Sequence, residues 1–573
     1  MKKPVVVDCE YREVDGRLEV LCVVAQCLQT GRVWKQWLGG VSSPSPSFPC
    51  GSDVILVAHA VAPAEARCML ALAWDFPGGW IDTYAEERVL ARGSKPDEGF
   101  RLLACCRQRG IQVIADYQKS DMQKLCCRPG DHDLDERRQI LDYCETDVTA
   151  EVQLYSKISD FIDLPQALLR GQYLAECARI AERGLPVDKS RLKPLLALGN
   201  AGLRQLFADH FDDHGILTHG SLNRLRFEEL VMQSGIYWPL TDGGHLKTDK
   251  DTLKEIARIH GEPWEGIRQL LRVTGGASVD ALTLRDDGRL LADLHPFGTL
   301  TGRCTPSTSA FLWNGPKWLR FLLQPPPGRT LLVLDWSNQE FAIAAALSQD
   351  PAMMAAYASG DPYLALAKQA KKVPDHATAD SHPKERSQFK VVSLAVLMGM
   401  SAWGIGRRLN TGESHGRELL EMHKRIYHIF WKWSDAASYT AGANRPLETA
   451  FGLVYQPGED FKPRTARIFL LQATGSDMLR VAVLLLASQG IKVISTIHDS
   501  VVVECDTCEA VEISRLASDT MREASRITLW NRLEVRTDVK QVDHPFHYQD
   551  DKGRDYWMRL AALLDLPLDD HGG

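Results

Sequence analysis

Two aspartates stand in apolar stretches that have the composition of buried strands. Asp335 closes the run LLVLDWS, and Asp499 lies among the isoleucines and valines of ISTIHDSVVVEC. β-Branched side chains favour a packed, pleated surface, and a carboxylate there is costly to desolvate unless something positive meets it. One such aspartate alone is equally typical of a helix cap or a turn. The two together favour a shared cation, because Mg2+ is commonly held by one or two carboxylates and phosphate oxygens.

Phosphate chemistry at such a site also needs cations for the leaving phosphates. Two metal ions about 3.5–4 Å apart can stabilise both the attacking and the leaving oxygen of an in-line phosphoryl displacement. The segment KERSQFKVVSLAVLMG places Arg386 and Lys390 four residues apart, hence on one helix face, with Leu394 one turn further. A solvated basic surface is the plain alternative. The apolar residues after Lys390 favour a helix that packs against the protein interior, so that its basic face is held in place.

A second group of acids lies near the N-terminus. Asp8 and Glu10 in VVVDCEY are two residues apart on a strand, so both side chains point to one face. Tyr143 and Asp147 in DYCETDVTAEV are four residues apart on a helix face. An exposed strand end would explain Asp8 and Glu10 by themselves. It explains all four residues together less well.

Length and composition predict a soluble protein of several domains. The 573 residues suggest about three or four domains, and contents of 45% hydrophobic and 25% charged residues are ordinary for globular chains. A net charge of -7 does not indicate a nucleic-acid partner, although a local basic groove would be enough to bind nucleic acid. The apolar run in the N-terminal segment MKKPVVVDCE is too short for a signal peptide. We therefore expect a cytoplasmic protein without membrane association.

The fourteen cysteines do not form a disulfide or zinc pattern. Cys105–Cys106 and Cys126–Cys127 are adjacent pairs, and the CxxC of Cys505 and Cys508 has no second pair nearby. These spacings predict reduced thiols.

The motifs lie on elements that alternate in type along the chain. Residues 1 to about 155 are predicted to be α/β, and helical patterns dominate from about 165 to 275. The proline-rich LLQPPPGRT leads into the strand of Asp335, long helices follow, and a β-rich section closes the chain.

The segments that contain Asp335, Arg386 with Lys390, and Asp499 follow one another in this order along the chain. They resemble the three polymerase motifs of the family A DNA polymerases, the group of bacterial DNA polymerase I and many phage replicases. DWSNQE resembles the first motif, RSQFKVVSLAVLMGMSAWGI the fingers helix and IHDS the third motif. TGRCTPSTSAFLWNG resembles the minor-groove-contacting segment, RTARIFLLQATGSD the helix before the third motif, and AERGLPVD the start of the thumb. The resemblance covers roughly residues 165–545.

The resemblance implies roles for the residues of the first group. Asp335 and Asp499 would bind two Mg2+ ions, and His498 would lie against the primer terminus. Arg386 and Lys390 would hold the triphosphate, with Lys390 able to protonate the leaving pyrophosphate.

It also implies nucleotide and DNA contacts. Glu340 matches the position that crowds the sugar 2′ carbon, which favours deoxynucleotides over ribonucleotides. Arg303 and Gln472 would contact minor-groove acceptors, whose near-degenerate pattern reports pair shape rather than sequence. Arg464 resembles a template or primer backbone contact.

Three residues depart from the family pattern. Ser500 stands where the family usually has a third acid, which weakens the local negative field. Met398 replaces the tyrosine near the templating base, and Leu394 replaces the aromatic residue that packs on the incoming sugar. These departures bear on fidelity and nucleotide selectivity rather than on the reaction.

The second group resembles the site of the DEDD-type 3′–5′ exonucleases. Asp8, Glu10 and Asp147 would bind two Mg2+ ions, and Tyr143 would orient the attacking water. A fourth acid should follow the strand VILVAH. The asparagine of the family is Ala60 here, and an acid appears one position late, as Glu65; Asp82 in WIDTY is the weaker candidate for the same role.

The resemblance predicts an α/β, RNase H-like exonuclease domain at residues 1–160, joined to an α+β right-hand polymerase. Thumb and the start of the palm are expected at 161–330, and palm and fingers at 331–573, with the fingers at about 351–480. We expect no flap-endonuclease domain before the first strand.

The predicted activity is template-directed extension of primer–template DNA with dNTPs, combined with proofreading. We expect a replicative polymerase of the phage type, active as a monomer in the host cytoplasm. A processivity partner is not identifiable from the sequence.

Three alternatives stay open. The chain could be a non-catalytic DNA-binding relative, although the presence of Asp335, Asp499, Lys390 and Arg386 argues against decay. An RNA polymerase on the same fold is disfavoured by Glu340. The exonuclease site could be degenerate while the polymerase is active.

Overall fold

The structure is a computed structural model that describes residues 2–14, 17–39, 45–114, 116–276, 279–292, 294–306 and 311–568. The chain forms two compact units. The first unit consists of Met1–Arg183, Asp293–Thr305 and Leu332–Gln541. The second consists of Gly184–Ala292, Pro306–Leu331 and Val542–Gly573. The boundaries predicted near 160 and 330 stay predictions, since one compact unit can combine several structural domains.

The N-terminal part of the first unit is a mixed sheet covered by helices. Its elements are β1 Lys3–Val14, β2 Arg17–Cys27, β3 Val33–Trp37, β4 Val54–Ala58, α1 Glu65–Ala71, β5 Trp80–Asp82, α2 Thr83–Leu90, α3 Leu102–Gln108, α4 Asp116–Cys126, α5 Leu134–Ile158 and α6 Leu164–Arg183. The strand order is β3-β2-β1-β4-β5, with β1–β2 and β2–β3 antiparallel and β1–β4 and β4–β5 parallel. This is the α/β architecture expected there, and its identification as an exonuclease domain stays a proposal.

Local sequence explains where the chemistry-bearing parts of this sheet lie. Both faces of the sheet are covered, so β4 is buried at all five positions. Helix α5 begins at a capping box, in which the Asp133 side chain accepts from the Glu136 N–H and the Glu136 side chain accepts from the Asp133 N–H. Its cap fixes the start of a 25-residue helix that brings Tyr143 and Asp147 to the strand of Asp8 and Glu10.

Short strands and helices follow up to residue 306. They are β6 Leu185–Pro186, α7 Lys189–His210, β7 Leu217–Thr218, β8 Ser221–Leu222, α8 Arg224–Ser234, α9 Lys250–His260, α10 Trp264–Gly276, β9 Arg289–Leu290, β10 Leu294–His295 and β11 Thr305–Pro306. Most of them belong to the second unit, whose core includes the aromatic residues Phe207, Phe227 and Trp264.

The remaining elements lie in the part of the chain where palm and fingers are predicted. They are β12 Arg329–Trp336, α11 Gln339–Ser348, α12 Pro351–Ala358, α13 Pro362–Gln369, α14 Pro383–Leu397, α15 Ala402–Arg408, α16 Glu413–Ile426, α17 His428–Gly442, β13 Leu447–Glu448, β14 Val454–Tyr455, α18 Pro463–Ser488, β15 Val493–Ile497, β16 Ser500–Asp506, α19 Ala510–Thr528, β17 Thr537–Asp543 and α20 Arg554–Leu563. The strands of the larger sheet follow the order β15-β16-β12-β17.

Alternation along β12 positions its aspartate. Leu332, Leu334 and Trp336 are buried, whereas Asp335 between them is half-buried. Side chains of a strand alternate between faces, so Asp335 emerges on the more open face while its neighbours anchor the strand in the core.

Helix α18 is the one described helix that is long and apolar enough to cross a membrane by length and composition, and 72% of its apolar window is buried inside the protein. A core helix of a soluble protein passes the same test. Gly475 lets this helix approach α11 closely, because a Cβ there would lie 2.9 Å from Gln339 Oε1. All fourteen cysteines lie within the described residues, and none of them forms a disulfide bond.

Candidate active site

The two polymerase-type aspartates come from neighbouring strands. Antiparallel β15 and β16 pair Ile497 with Ser500, so His498 and Asp499 form a two-residue turn between them. His498 has a φ of 55°, the positive value that such tight hairpin turns require. Because β16 lies next to β12 in the sheet, this turn brings Asp499 to the end of the strand that bears Asp335. His498 is exposed at the turn.

Ser500, the first residue of β16, contacts Asp335 on the neighbouring strand β12. Its Oγ donates a hydrogen bond of 2.9 Å to Asp335 Oδ1. Burial and the charge of Asp499 nevertheless raise the pKa of Asp335 to about 6. Burial also raises the pKa of Asp499. Two carboxylates that each resist ionisation form a site that a divalent cation would stabilise, so the residues present fit the implied metal.

Glu340 and Arg303 meet beside this pair. Glu340 lies in the first turn of α11, and its Oε1 is 3.6 Å from Arg303 Nη2. Burial raises the pKa of Glu340 although the Arg303 charge opposes this shift. The sequence predicted separate contacts for the two residues, with the nucleotide sugar and the minor groove, and the structure brings them together as an ion pair.

A buried pair fixes the turn that presents Arg303. Arg480 forms an ion pair with Asp477, and both side chains are almost completely buried on α18. Arg480 Nη1 also donates to the Gly302 carbonyl at 3.0 Å. Such pairs are strongly destabilising to break, because one partner then remains as an uncompensated buried charge. Residues 307–310 of the predicted minor-groove segment lie outside the described residues.

The two cations of α14 already have partners. Arg386 forms an ion pair with Asp361, whose side chain also caps α13 by accepting from the N–H groups of Tyr363 and Leu364. Lys390 is exposed and lies 5.8 Å from the centroid of the Tyr363 ring. Burial and the charge of Glu340 raise the pKa of Tyr363 to about 12. Tyr363 is thus close both to the predicted sugar gate and to the predicted phosphate-binding lysine.

The C-terminal end of α14 contacts α18. Arg464 Nε donates to the Met398 carbonyl at 2.9 Å, and Gln472 Nε2 lies 3.8 Å from Met398 Sδ. Leu394, one turn earlier, is half-buried. The structure therefore brings Met398, Arg464 and Gln472 together.

The acids of the second group converge on the middle of β1. Cys144 Sγ donates to Asp8 Oδ2 at 3.1 Å, and Cys126 Sγ donates to Glu10 Oε2 at 3.5 Å. Burial and the charge of Asp147 raise the pKa of Asp8 to about 7. Burial and the charge of Asp8 raise the pKa of Glu10. Ligand atoms of Asp8, Glu10 and Cys144 all lie within 4.8 Å of one another, so the donor set fits a divalent cation.

Helix α4 adds a cation to this group. Lys119 Nζ is 2.9 Å from Asp147 Oδ2. Burial and the charge of Asp147 raise the pKa of the nearby Tyr143 hydroxyl, so the predicted water-orienting residue lies beside the predicted ligand. Asp8 and Asp147 line a cavity together with Tyr84, Arg88, Phe100 and Arg101.

The structure separates the two candidates for the fourth acid. Asp82 is a backbone cap: its carboxylate accepts from the N–H groups of Ala60, Val61 and Ala85. Glu65 is 3% exposed, and its Oε2 has no hydrogen-bond partner among the described residues. Burial and the charge of Asp8 raise the pKa of Glu65. Glu65 is thus the better placed of the two.

Sequence reasoning missed several charged and polar neighbours of these sites, namely Lys119, Cys144, Glu151, Asp361, Tyr363 and Asp538. Glu151 is buried, accepts a hydrogen bond of 2.9 Å from Thr83 Oγ1, and has a pKa raised by burial and the charge of Asp8. Its position four residues after Asp147 was the available signal. Asp361 precedes a proline, which predicts a helix cap but not its contact with Arg386.

A family of known proteins and several relatives match this chain. The sequence profile of DNA polymerase family A matches residues 216–543, which is more than half of the 573 residues. A DNA polymerase I of Aquifex aeolicus is 25% identical over 417 residues, covering 68% of this chain and 69% of that protein. A DNA polymerase I of Synechocystis sp. is 22% identical over 488 residues, covering 78% of this chain but 42% of that protein. The chain thus spans less than half the length of the second relative.

A solved structure extends the match to the fold. The "POL domain of Pol1 from M. smegmatis complex with DNA primer-template and dNTP" superposes with a TM-score of 0.72 at 18% identity, over 94% of this chain and 95% of that one. The shared fold is in keeping with the predicted right-hand architecture. From the profile match over most of its length, this chain belongs to DNA polymerase family A.

Proposed function

We propose that this chain extends the 3′ ends of DNA primers with dNTPs under the direction of a template. The observation that supports this most is the convergence of Asp335 and Asp499 from two strands, beside Glu340. Arg386 and Lys390 lie on α14, which packs against the helix α11 that bears Glu340. Primer–template DNA and a dNTP were present in the structural neighbour named above. Two Mg2+ ions at the aspartates are part of this proposal.

The residues of the chain divide the work of the reaction. Asp335 and Asp499 would hold the metal ions, which when bound polarise the attacking 3′ hydroxyl and neutralise charge on the phosphates. The Ser500 hydroxyl orients the Asp335 carboxylate. Arg386 exchanges Asp361 for the triphosphate, and Lys390 donates a proton to the leaving pyrophosphate. Glu340 restricts the space at the sugar 2′ carbon.

Single-nucleotide primer extension tests this function. A labelled primer on a defined template is incubated with each dNTP or rNTP separately, with Mg2+ or with EDTA. We expect Mg2+-dependent addition of the complementary dNTP alone. Preference for rNTPs would support an RNA polymerase, and binding of DNA without any extension would support a non-catalytic relative.

We further propose that the N-terminal site removes nucleotides from single-stranded 3′ ends. Asp8, Glu10 and Asp147 would hold two Mg2+ ions, and Tyr143 would orient the attacking water. The lining of the cavity beside these acids supports a single-stranded substrate, because it combines aromatic rings with a cation. The Arg88 guanidinium lies 5.6 Å from the Tyr84 ring centroid and 5.0 Å from that of Phe100. Aromatic rings that stack bases and cations that track phosphates are typical of single-strand binding.

Two observations favour a degenerate exonuclease site instead. Lys119 already forms an ion pair with Asp147. The fourth acid, Glu65, also stands one position after the place where the family has it. A primer with a mismatched 3′ end, incubated without dNTPs in Mg2+ or Mn2+, distinguishes the two possibilities. Shortening of the primer supports proofreading, and an unchanged primer in both metals supports degeneracy.

We also propose that the chain works as a monomer, since one copy supplies every residue invoked. A replicative role of the phage type rests on the sequence resemblance alone. Gel filtration with and without primer–template DNA tests the oligomeric state.

A further inference from the structure

The strand β17 places an additional carboxylate directly opposite Asp335. Ser337 N donates to the Arg536 carbonyl at 2.8 Å, and His544 N donates to the Arg329 carbonyl at 3.2 Å. In an antiparallel pair the two residue numbers of opposed positions have a constant sum, and both bonds give the same sum. The same register opposes Asp335 to Asp538.

A side-chain contact further along the strand agrees with this register. Thr330 and Asp543 are opposed by the same rule, and Thr330 Oγ1 donates to Asp543 Oδ1 at 2.6 Å. Directly opposed residues share one face of a sheet and lie within about 4.5–5.5 Å at Cβ. Asp335 and Asp538 therefore face the same side at short range.

Asp538 is held at this place and remains accessible. Ser337 Oγ donates to Asp538 Oδ2 at 2.6 Å, while the Asp538 side chain is exposed. Its neighbour on the same face, Arg536, is directed elsewhere, since its guanidinium donates to the carbonyls of Tyr357 and Gly360. The charge of Asp538 is one of the causes that raise the pKa of Asp335.

The two strands that flank β12 thus contribute different groups to Asp335. From β16 comes the Ser500 hydroxyl, at the position where an acid is usual in the family, and from β17 comes the Asp538 carboxylate. Like charges opposed across a sheet are unfavourable without a compensating cation. We propose that Asp538 is a third carboxylate of the polymerase metal site, which supplies from β17 the negative charge that Ser500 does not supply from β16.

This inference rests on the proposed function, because it assumes that Asp335 and Asp499 bind the metal ions. Asp538 would act by attracting the cations and holding their hydration shell, as carboxylates around partly hydrated Mg2+ do. It would leave the coordination by Asp335 and Asp499 in place. Its removal should therefore weaken metal binding while preserving the reaction at saturating metal.

Direct metal binding provides the first test. Mn2+ binding is measured by the electron paramagnetic resonance signal of the free ion, for the wild-type chain and for Asp335→Ala, Asp538→Asn and Asp538→Glu. The Mn2+ that Asp335→Ala no longer binds defines the polymerase site and separates it from the N-terminal acids. We expect Asp538→Asn to weaken this fraction by about three- to tenfold, which follows from removing one carboxylate at short range, and Asp538→Glu to keep it near the wild-type value.

The Mg2+ dependence of primer extension provides the second test. Asp538→Asn should raise the Mg2+ concentration for half-maximal extension by a similar factor, with the maximal rate largely kept. Adding Ser500→Glu to Asp538→Asn should lower that concentration again, because the charge is returned from the other flanking strand. Ser337→Ala is the matched control, since it removes the hydrogen bond and leaves the carboxylate.

The outcomes separate this inference from the proposed function. Equal Mn2+ binding and equal Mg2+ requirement in the wild type and Asp538→Asn would overturn the role of Asp538. The same conclusion would follow if Ser337→Ala matched Asp538→Asn, because the hydrogen bond and not the charge would then be responsible. A wild-type chain without Asp335-dependent Mn2+ binding would overturn both proposals.

Discussion

The two carboxylate groups of this chain differ in what surrounds them. Asp335 and Asp499 are brought together from two strands and meet a neutral hydroxyl, that of Ser500. Asp8 and Asp147 meet thiols and an ammonium group, with Lys119 at 2.9 Å from Asp147. The first group thus has no cation bonded to either aspartate among the described residues, whereas the second is partly neutralised by its own protein. The two groups of similar acids therefore differ in how much of their negative charge is left for a metal ion to compensate.

That difference has an electrostatic consequence. An ammonium beside a carboxylate favours the charged form of both groups. Burial alone would lower the pKa of Lys119, but the charges of Asp147, Asp8 and Glu10 raise it. Lys119 therefore remains charged at neutral pH and competes with a metal ion for Asp147. The comparison predicts that the polymerase site depends on metal more strictly than the N-terminal site.

Removal of the polymerase aspartates should give the largest effect. Asp335→Ala and Asp499→Ala are each expected to reduce primer extension by about 10³-fold or more, since metal ions supply several kcal/mol of transition-state stabilisation. DNA binding should persist, because these acids serve the chemistry more than the affinity. Single-turnover extension and a DNA mobility shift measure the two properties. Near wild-type extension by either variant would show that the metal assignment is wrong.

The N-terminal acids should give a large effect confined to digestion. Asp8→Ala or Asp147→Ala is expected to reduce the digestion of single-stranded 3′ ends by roughly 10²-fold or more, with primer extension largely unchanged. Glu65→Ala tests the fourth acid. Retained digestion in that variant would move the role to another residue, with Glu151 as the next candidate.

Lys119→Ala sharpens the same comparison, and the assay is digestion as a function of Mg2+ concentration. If Lys119 competes with metal, the variant should digest at lower Mg2+ than the wild type. A loss of digestion at every Mg2+ concentration would instead show that the ammonium takes part in the reaction.

The positions of the acids could be predicted because local patterns decide them. Apolar runs around Asp335 and Asp499 indicated strands, and the alternation along β12 shows why Asp335 stays at the open face. The period of α5 likewise placed Tyr143 and Asp147 on one face. Each of these inferences needs only the geometry of a single element.

The partners of the cations could not be predicted in this way. Arg386 pairs with Asp361, 25 residues earlier, and Lys119 pairs with Asp147, 28 residues later. Both contacts depend on how two helices pack, which single-sequence patterns do not specify. Asp538 is a similar case, since its place opposite Asp335 follows from a strand register that only the backbone bonds reveal.

Glu340 should have an intermediate effect on sugar selection. Glu340→Ala is expected to raise ribonucleotide incorporation on the order of tenfold, the scale on which a small steric difference in a binding pocket changes substrate selection. Glu340→Gln is the matched control, because it keeps the volume and removes the charge that pairs with Arg303. The ratio of dNTP to rNTP incorporation measures the effect. Equal ratios in the wild type and Glu340→Ala would exclude Glu340 as the gate.

Leu394 should have a smaller effect, on the 3′ position of the sugar. Leucine has no hydroxyl, so strong discrimination against dideoxynucleotides is expected, and Leu394→Tyr should reduce it. One hydrogen bond to a charged group is worth about 1.5–3 kcal/mol, which corresponds to roughly tenfold or more. The dNTP-to-ddNTP selectivity of both proteins tests this. Equal selectivity would mean that Leu394 packs only against its own helix neighbours.

The smallest effect should be on stability, and it compares the two acid groups directly. Burial and the charge of Asp147 raise the pKa of Asp8 to about 7 in the folded chain, from 3.8. The folded state then binds the proton more tightly than the unfolded state, so this contribution to stability is present below about pH 4 and is lost as pH rises through about 7.

Asp8→Asn should therefore stabilise the metal-free protein at pH 8.5, on the order of 1–3 kcal/mol after allowance for partial exposure. The gain should shrink at pH 5.5, where the wild-type carboxyl is largely protonated. Asp335→Asn is the matched variant, and its gain should be smaller because the pKa of Asp335 is raised only to about 6. Thermal unfolding in EDTA at both pH values measures the difference, and Mg2+ should restore the wild type at pH 8.5 without affecting Asp8→Asn to the same extent. A gain independent of pH would mean that the Asp8 carboxylate is not the group under strain, and that the two acid groups differ in packing rather than in charge.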